Sequence, residues 1–285
     1  GVADYIEPKE DLEVKVSNFF TKVNSPVLTD LDMDFGGLQT DMMYPRELPD
    51  IFKGSQLTII GRYKNQGDLD NLVFRLKGKT GKETRTFNYS NLDFPMRAEN
   101  NDFLPRLWAS RRVGWLVEQI RSNGENKELR DEIVDLGTRY GIVTPYTSYL
   151  ATDGSSTRQI ANSMDARMKA PMAAESMRAD SGAAAVSVAK EAKKMRDKVT
   201  FDGADEEVAK SGYVKKAGIK TFYLQNGVWT DSEFNEASKL VEVRLAFASE
   251  AYFDLVTKEK GLAQFFSVGE QVVVVWNGKV YRINK

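Results

Sequence analysis

The residues of this 285-residue chain that could do chemistry are carboxylates and hydroxyls, because it contains no His and no Cys. Without them no Ser-His-Asp or Cys-His arrangement can be built, and no thiolate or imidazole metal centre. General acid–base work at neutral pH loses its commonest side chain. Three oxygen-rich clusters remain. Asp30, Asp32 and Asp34 alternate along "TDLDMDF". Thr144, Thr147 and Ser148 surround Pro145 in "GIVTPYTSYL". Asp153, Ser155 and Thr157 in "DGSST" have the Asp-x-Ser-x-Thr form of a loop that holds Mg²⁺ through oxygens.

Each has a structural reading that fits better. A period of two puts the three aspartates on the outer face of a half-buried strand, away from Leu31, Met33 and Phe35. A hydroxyl nucleophile at 144–148 has no imidazole base to activate it, so the segment reads as a helix-to-strand junction with its hydroxyls outside any cleft. An adhesion-site loop should open a buried helix, whereas "RQIANSMDARMK" is polar, so "DGSST" reads as a solvated loop. The reading therefore assigns no catalytic, cofactor-binding or metal-binding residue and expects no cofactor. Lys plus Arg total 40 against 41 acids, giving a net charge of −1. That balance lacks the basic excess of a nucleic-acid partner. The basic clusters "SRRV" and "AKKMRDK" sit beside acids and read as solvated helical faces. Asn88-Tyr-Ser90 is a glycosylation triplet only in a host that glycosylates.

Behind these residues stand elements of contrasting period. Residues 12–94 read as β: "LEVKV", "LDMDF", "QLTIIGRY", "LVFRLKG" and "TRTFNY" are separated by Gly, Pro and Asn turns, the pattern of an antiparallel sandwich. The period then becomes helical. Pro105 suits a first turn that Asn101 or Asp102 can cap, and Ala109, Val113, Leu116, Val117 and Ile120 form a broad stripe beside Trp108. Leu129, Ile133, Leu136 and Tyr140 repeat the spacing, with Gly141 as a C-terminal cap, so the pair is an αα-hairpin. Residues 152–211 are Ala- and Met-rich, with Val188, Ala192, Met195 and Val199 as one apolar stripe able to dock a helix. They read as a linker with helical potential that proteases cut first, between Asp153 and Ala185. From Gly212 the Asn226-Gly227 and Asn277-Gly278 hairpin turns, "LVEVRLAF" and a helix capped by Ser249 make a small α+β unit.

The expected fold is thus α+β, mainly β. A hybrid-like antiparallel β-sandwich with a helical hairpin spans 1–151, a helical or disordered linker 152–211, and a small α+β domain 212–285. The longest apolar runs fall short of a membrane span, and the opening "GVADYIEPKEDLEV" lacks a signal-peptide layout, reading instead as part of a longer or processed protein.

Four stretches carry a family resemblance in order: "FFTKVNSPVLTDLDMDFGG", "YPRELPDIFKGSQLTIIGRY", "LPRLWASRRVGWLVEQI" and "LGTRYGIVTPYTSYL". Within them Ser25 to Asp30, Tyr44 to Phe52, Leu107 to Ala109 and Val143 to Ser148 match spaced motifs. Together they resemble the region that follows the von Willebrand factor A domain in inter-α-trypsin inhibitor heavy chains and their bacterial relatives. The resemblance covers about residues 5–150. It implies a hybrid β-sandwich and a non-catalytic module supporting adhesion or assembly. It further implies an extracellular, cell-surface or periplasmic place, and a protein partner such as the adjoining A domain or another part of one precursor. The A domain is not in this chain, and neither is the Asp-Pro-His-Phe terminus of animal heavy chains. Metal binding and glycan attachment are therefore carried over to no residue. Two alternatives stay open: a processed subunit of a larger precursor, and a carboxylate hydrolase built on Asp32 or Asp34.

Overall fold

A computed structural model describes residues 6, 10–24, 26–96, 98, 101–144, 146–147, 182–199 and 212–285. The "DGSST" loop, Ser148 and the expected protease-sensitive stretch, except its last residues 182–185, lie outside the described residues. Cα packing divides the chain into two compact units, 1–101 with 180–199, and 102–179 with 200–285.

The first unit begins with helix α1 (Leu12–Val23), where alternation predicts a strand. Asp11 decides otherwise: its carboxylate accepts from the Glu13 and Val14 amides at 2.9 and 3.1 Å, which caps a helix start. Leu12, Val16 and Phe20 also fit a four-residue repeat, and a five-residue run cannot tell the two periods apart. Strands β1 (Pro26–Asp34), β2 (Gln39–Tyr44), β3 (Ile51–Phe52), β4 (Ile60–Lys64), β5 (Leu69–Thr80) and β6 (Glu83–Phe94) follow. They form a four-stranded antiparallel sheet, β3-β1-β5-β6, and a separate β2-β4 pair. Tyr63 of β4 meets Phe94 of β6 edge-on at 5.2 Å, and Phe94 stacks on Phe74 at 5.3 Å. Tyr63 also donates from its hydroxyl to the Pro95 carbonyl at 2.8 Å. Helix α4 (Gly182–Asp197) groups with this unit and buries Ala185, Ala189 and Ala192. Of the expected stripe only Ala192 lies on this buried line; Val188 and Met195 are half-buried and Val199 is 48% exposed.

The second unit holds helices α2 (Leu104–Asn123) and α3 (Lys127–Tyr140), which the sequence reading joins to the N-terminal strands. Packing instead groups them with a six-stranded mixed sheet, in the order β10-β12-β11-β9-β8-β7. Its strands are β7 (Val214–Ala217), β8 (Lys220–Gln225), β9 (Val228–Asp231), β10 (Val241–Ala246), β11 (Val272–Trp276) and β12 (Lys279–Asn284). Between β10 and β11 lie α5 (Glu250–Lys258), capped by Ser249, and α6 (Lys260–Phe266). Both expected turns form. Asn226 and Gly227 take φ of 50° and 83°, and Asn277 and Gly278 take 46° and 73°, the left-handed pair that a two-residue hairpin needs.

The β8 side chains serve both faces of this sheet. Phe222 enters a core with Phe265, Phe266, Val272 and Ile283. Tyr223 points the other way and donates to the Thr138 carbonyl of α3 at 2.6 Å. Ser232 likewise donates to the Arg139 carbonyl at 3.2 Å. A helix leaves its last four carbonyls without intrahelical partners, so the C-terminal end of α3 is where the sheet can bond it. Helix and strand take near-equal shares of the described residues, so "mainly β" gives way to a mixed α and β chain.

Candidate functional site

The aspartate row on β1 meets a row of cations on β5. Thr29 lies opposite Lys79, Asp32 opposite Lys77 and Asp34 opposite Arg75. Asp30 pairs with Lys79 at 2.9 Å and Asp34 with Arg75 at 3.0 Å, all with side chains about half exposed or more. The Gly36 amide, bonded at 2.9 Å, and then Arg75 hold the Asp34 carboxyl below the usual carboxylate range. Such a group stays ionised at neutral pH, which suits a solvated charge ladder and disqualifies a general acid.

At the junction after α3 the described residues 142–144 and 146–147 form a turn, not the expected paired strand. Gly141 ends the helix with φ 61° and ψ 44°. Thr147 then donates from its hydroxyl to the Ile142 carbonyl at 2.8 Å and accepts from the Thr144 amide at 2.8 Å. The Thr144 hydroxyl lies 2.9 Å from it and accepts from the amides of Tyr146 and Thr147. Thr144 and Thr147 are 3% and 0% exposed. Their hydroxyls are consumed in holding the turn, because buried polar groups in this setting must be paired. The alternation of Tyr146 and Ser148 missed this, since the hydroxyls compete with a sheet ladder for the same backbone groups.

The "SRRV" cluster is buried where a solvated face was expected: Ser110, Arg111 and Arg112 are 3%, 4% and 8% exposed. Arg112 reaches α3 and donates from Nε and Nη2 to both Glu132 oxygens at 2.7 Å. Its guanidinium also sits 4.9 Å from the Trp115 ring centre. This planar fork on a carboxylate, with its stem along the apolar stripe, is why an Arg can lie inside a helical pair.

One cluster escaped the sequence reading. Lys220, 5% exposed, lies on the core face of β8, its Nζ 5.9 Å from the Phe265 ring centre. The same nitrogen is 2.8 Å from Oδ2 of Asp231, itself 2% exposed, and 2.6 Å from Oε2 of Glu233. Asp231 accepts two backbone amides as well, Glu233 N on Oδ1 and Val275 N on Oδ2, each at 3.0 Å. Burial pushes its carboxyl up, against the pull of Lys220 and of these amides. The signal was present: counting outward from the Asn226-Gly227 turn sets Phe222 opposite Asp231, so Lys220 falls near Glu233 at the open end. Among the described residues no group of three or more His, Cys, Asp or Glu can hold a metal ion.

Comparison with known proteins finds relatives over about half of the chain. It is 26% identical over 161 residues to human inter-alpha-trypsin inhibitor heavy chain H4, covering 53% of this chain and 17% of that protein. Over the same length it is 26% identical to mouse heavy chain H3, covering 18% of it. A von Willebrand factor A domain-containing protein of Dictyostelium discoideum is 26% identical over 165 residues, 8% of its length. Over about half its length, this chain is a homologue of the inter-alpha-trypsin inhibitor heavy chains. It spans less than a fifth of the length of these relatives. No family model matches the chain, and no solved structure matches it.

Proposed function

We propose that the chain is a non-catalytic structural and interaction module of a secreted or surface-displayed protein that also carries a von Willebrand factor A domain, and that it supports adhesion or assembly. The observation that carries this is the face of α1. Leu12, Val16 and Phe20 recur every fourth residue and are 61%, 52% and 62% exposed. Val14, 56% exposed, lies on the opposite side of the helix and is not part of this face. Contiguous exposed apolar surface of this kind on a helix marks a partner site. The heavy-chain homology makes the A domain, or another part of the same precursor, the partner of choice. The four-stranded sheet of the first unit is one layer of a hybrid sandwich in this reading. The same homology supports extracellular, cell-surface or periplasmic placement in this reading. Among the described residues no helix is long and apolar enough to cross a membrane.

The test is titration calorimetry of the chain against the separately produced A domain of its own precursor. Replacing Leu12 and Phe20 by Glu should weaken binding by at least about a hundredfold, since each buried side chain of this size contributes about 1.5–3 kcal/mol. Unchanged affinity in the double variant, with an unchanged circular dichroism spectrum, would remove the assignment.

A further inference from the structure

The Lys220, Asp231 and Glu233 cluster is built unlike a stabilising ion pair. Two charges lie in an aromatic core where desolvation opposes them, and a hydrophobic pair of similar volume would hold the same space at less cost. Only Glu233, its side chain 41% exposed, touches water. The amine nitrogen is already 2.8 Å from a carboxyl oxygen, on neighbouring strands whose register fixes both stems. Held contact at this range converts a slow bimolecular condensation into an intramolecular one.

We propose that Lys220 and Asp231 condense into an intramolecular amide, with Glu233 carrying the proton, so that the folded protein holds a covalent tie between β8 and β9. The chemistry balances without a co-reactant. A proton passes from the Lys220 ammonium to Asp231, leaving a neutral amine beside a neutral acid. Burial favours this exchange because it removes both charges from the core. The Nζ lone pair then attacks Cγ of Asp231, forming the C–N bond. Oxyanion charge on the tetrahedral centre falls on oxygens that already accept the Glu233 and Val275 amides. Glu233, 2.6 Å from Nζ, takes the proton from nitrogen and delivers it to the departing hydroxyl as the C–O bond breaks. One water leaves, and the half-exposed Glu233 side chain marks its way to solvent. The product is a neutral amide, and the buried ion pair is gone. Nothing turns over, so the step is a maturation of this fold and not an enzymatic activity.

Mass spectrometry of the whole denatured chain tests this directly, and it needs no variant to fold. The expected result is a mass one water below that of the sequence. Trypsin should then fail to cut after Lys220. The peptide from Ala217 to Lys239 should be recovered intact, short of one water, with no backbone fragments between Lys220 and Asp231. A chain at full sequence mass that is cut after Lys220 overturns the proposal. So does a water loss that leaves Lys220 cleavable, which is cyclisation of Asp231 with its own backbone. Lys220→Arg keeps the cation but cannot condense under these conditions, and should run at full mass. Glu233→Gln should slow conversion on the order of 10²-fold. Full conversion of Glu233→Gln at the wild-type rate would take the proton-carrying role away from Glu233.

Discussion

Asp34 and Glu132 are both carboxylates bonded to an arginine, yet burial makes their consequences differ. Asp34 is solvent-bathed, so its effect belongs to titration. Its pKa is held down in the fold, so its contribution is present above the ordinary carboxylate range and is lost as pH falls through the depressed value. In an NMR titration Arg75→Gln should raise the Asp34 midpoint yet leave it below the usual range, because the Gly36 amide is the larger cause and remains. Glu132 instead answers a guanidinium whose side chain is only 10% exposed. Glu132→Ala leaves Arg112 buried with a lost charge-assisted fork, which should cost about 2–3 kcal/mol, read as a lower urea midpoint at constant slope. Arg112→Met together with Glu132→Leu should cost less than Glu132→Ala alone, since both desolvated charges are gone.

Helix α3 shows how an element is fixed from outside its own sequence. Asn126 caps its start, accepting from the Leu129 amide at 2.8 Å, and Gly141 caps its end. Between them Gly137 breaks the propensity rule, because Ala there would favour an isolated helix by about 1 kcal/mol. Tertiary packing reverses the sign. A Cβ on Gly137 would lie 2.7 Å from the Thr147 Cγ2 and 3.0 Å from the Ile142 carbonyl oxygen, and neither can retreat from the turn they hold. Gly137→Ala should therefore destabilise by about 1–3 kcal/mol in thermal or urea unfolding. Thr147→Val keeps the shape but strands the Thr144 amide, and should cost about 1–3 kcal/mol in the same assay. The helix was legible from its stripe and its C-terminal Gly141. The reason for its one internal glycine was not, because the neighbour it admits lies on the far side of a turn.

At the scale of the molecule, all four tryptophans (Trp108, Trp115, Trp229 and Trp276) fall in the second compact unit. Tryptophan fluorescence therefore reports that unit alone. Phe266, 2% exposed, stacks on Tyr252 at 5.3 Å and meets Tyr281 edge-on at 6.4 Å, so it ties α5 and α6 to the sheet. Phe266→Ala should lower the stability read by fluorescence by about 3–5 kcal/mol, through lost burial and the cavity left behind. A shift under about 1 kcal/mol would mean that these helices are not part of the core.

The sequence by itself determined the features that a few consecutive residues control. Asn226-Gly227 and Asn277-Gly278 turn the chain because those pairs accept positive φ, and the hairpin registers follow from them. The apolar stripes of α2 and α3 and the left-handed Gly141 were legible for the same local reason. So was the absence of imidazole and thiol chemistry. Tertiary structure alone decided which surfaces those elements would bury. It drew Arg112 inward to meet Glu132 on another helix, and it gave the helical pair to the C-terminal sheet through Tyr223 and Ser232. It also buried Lys220 and Asp231, neighbours across one hairpin, by closing a core over them. Periodicity records that a residue is on an apolar or polar face. It carries no account of the partner across the interface, and burial of a charge depends on that partner.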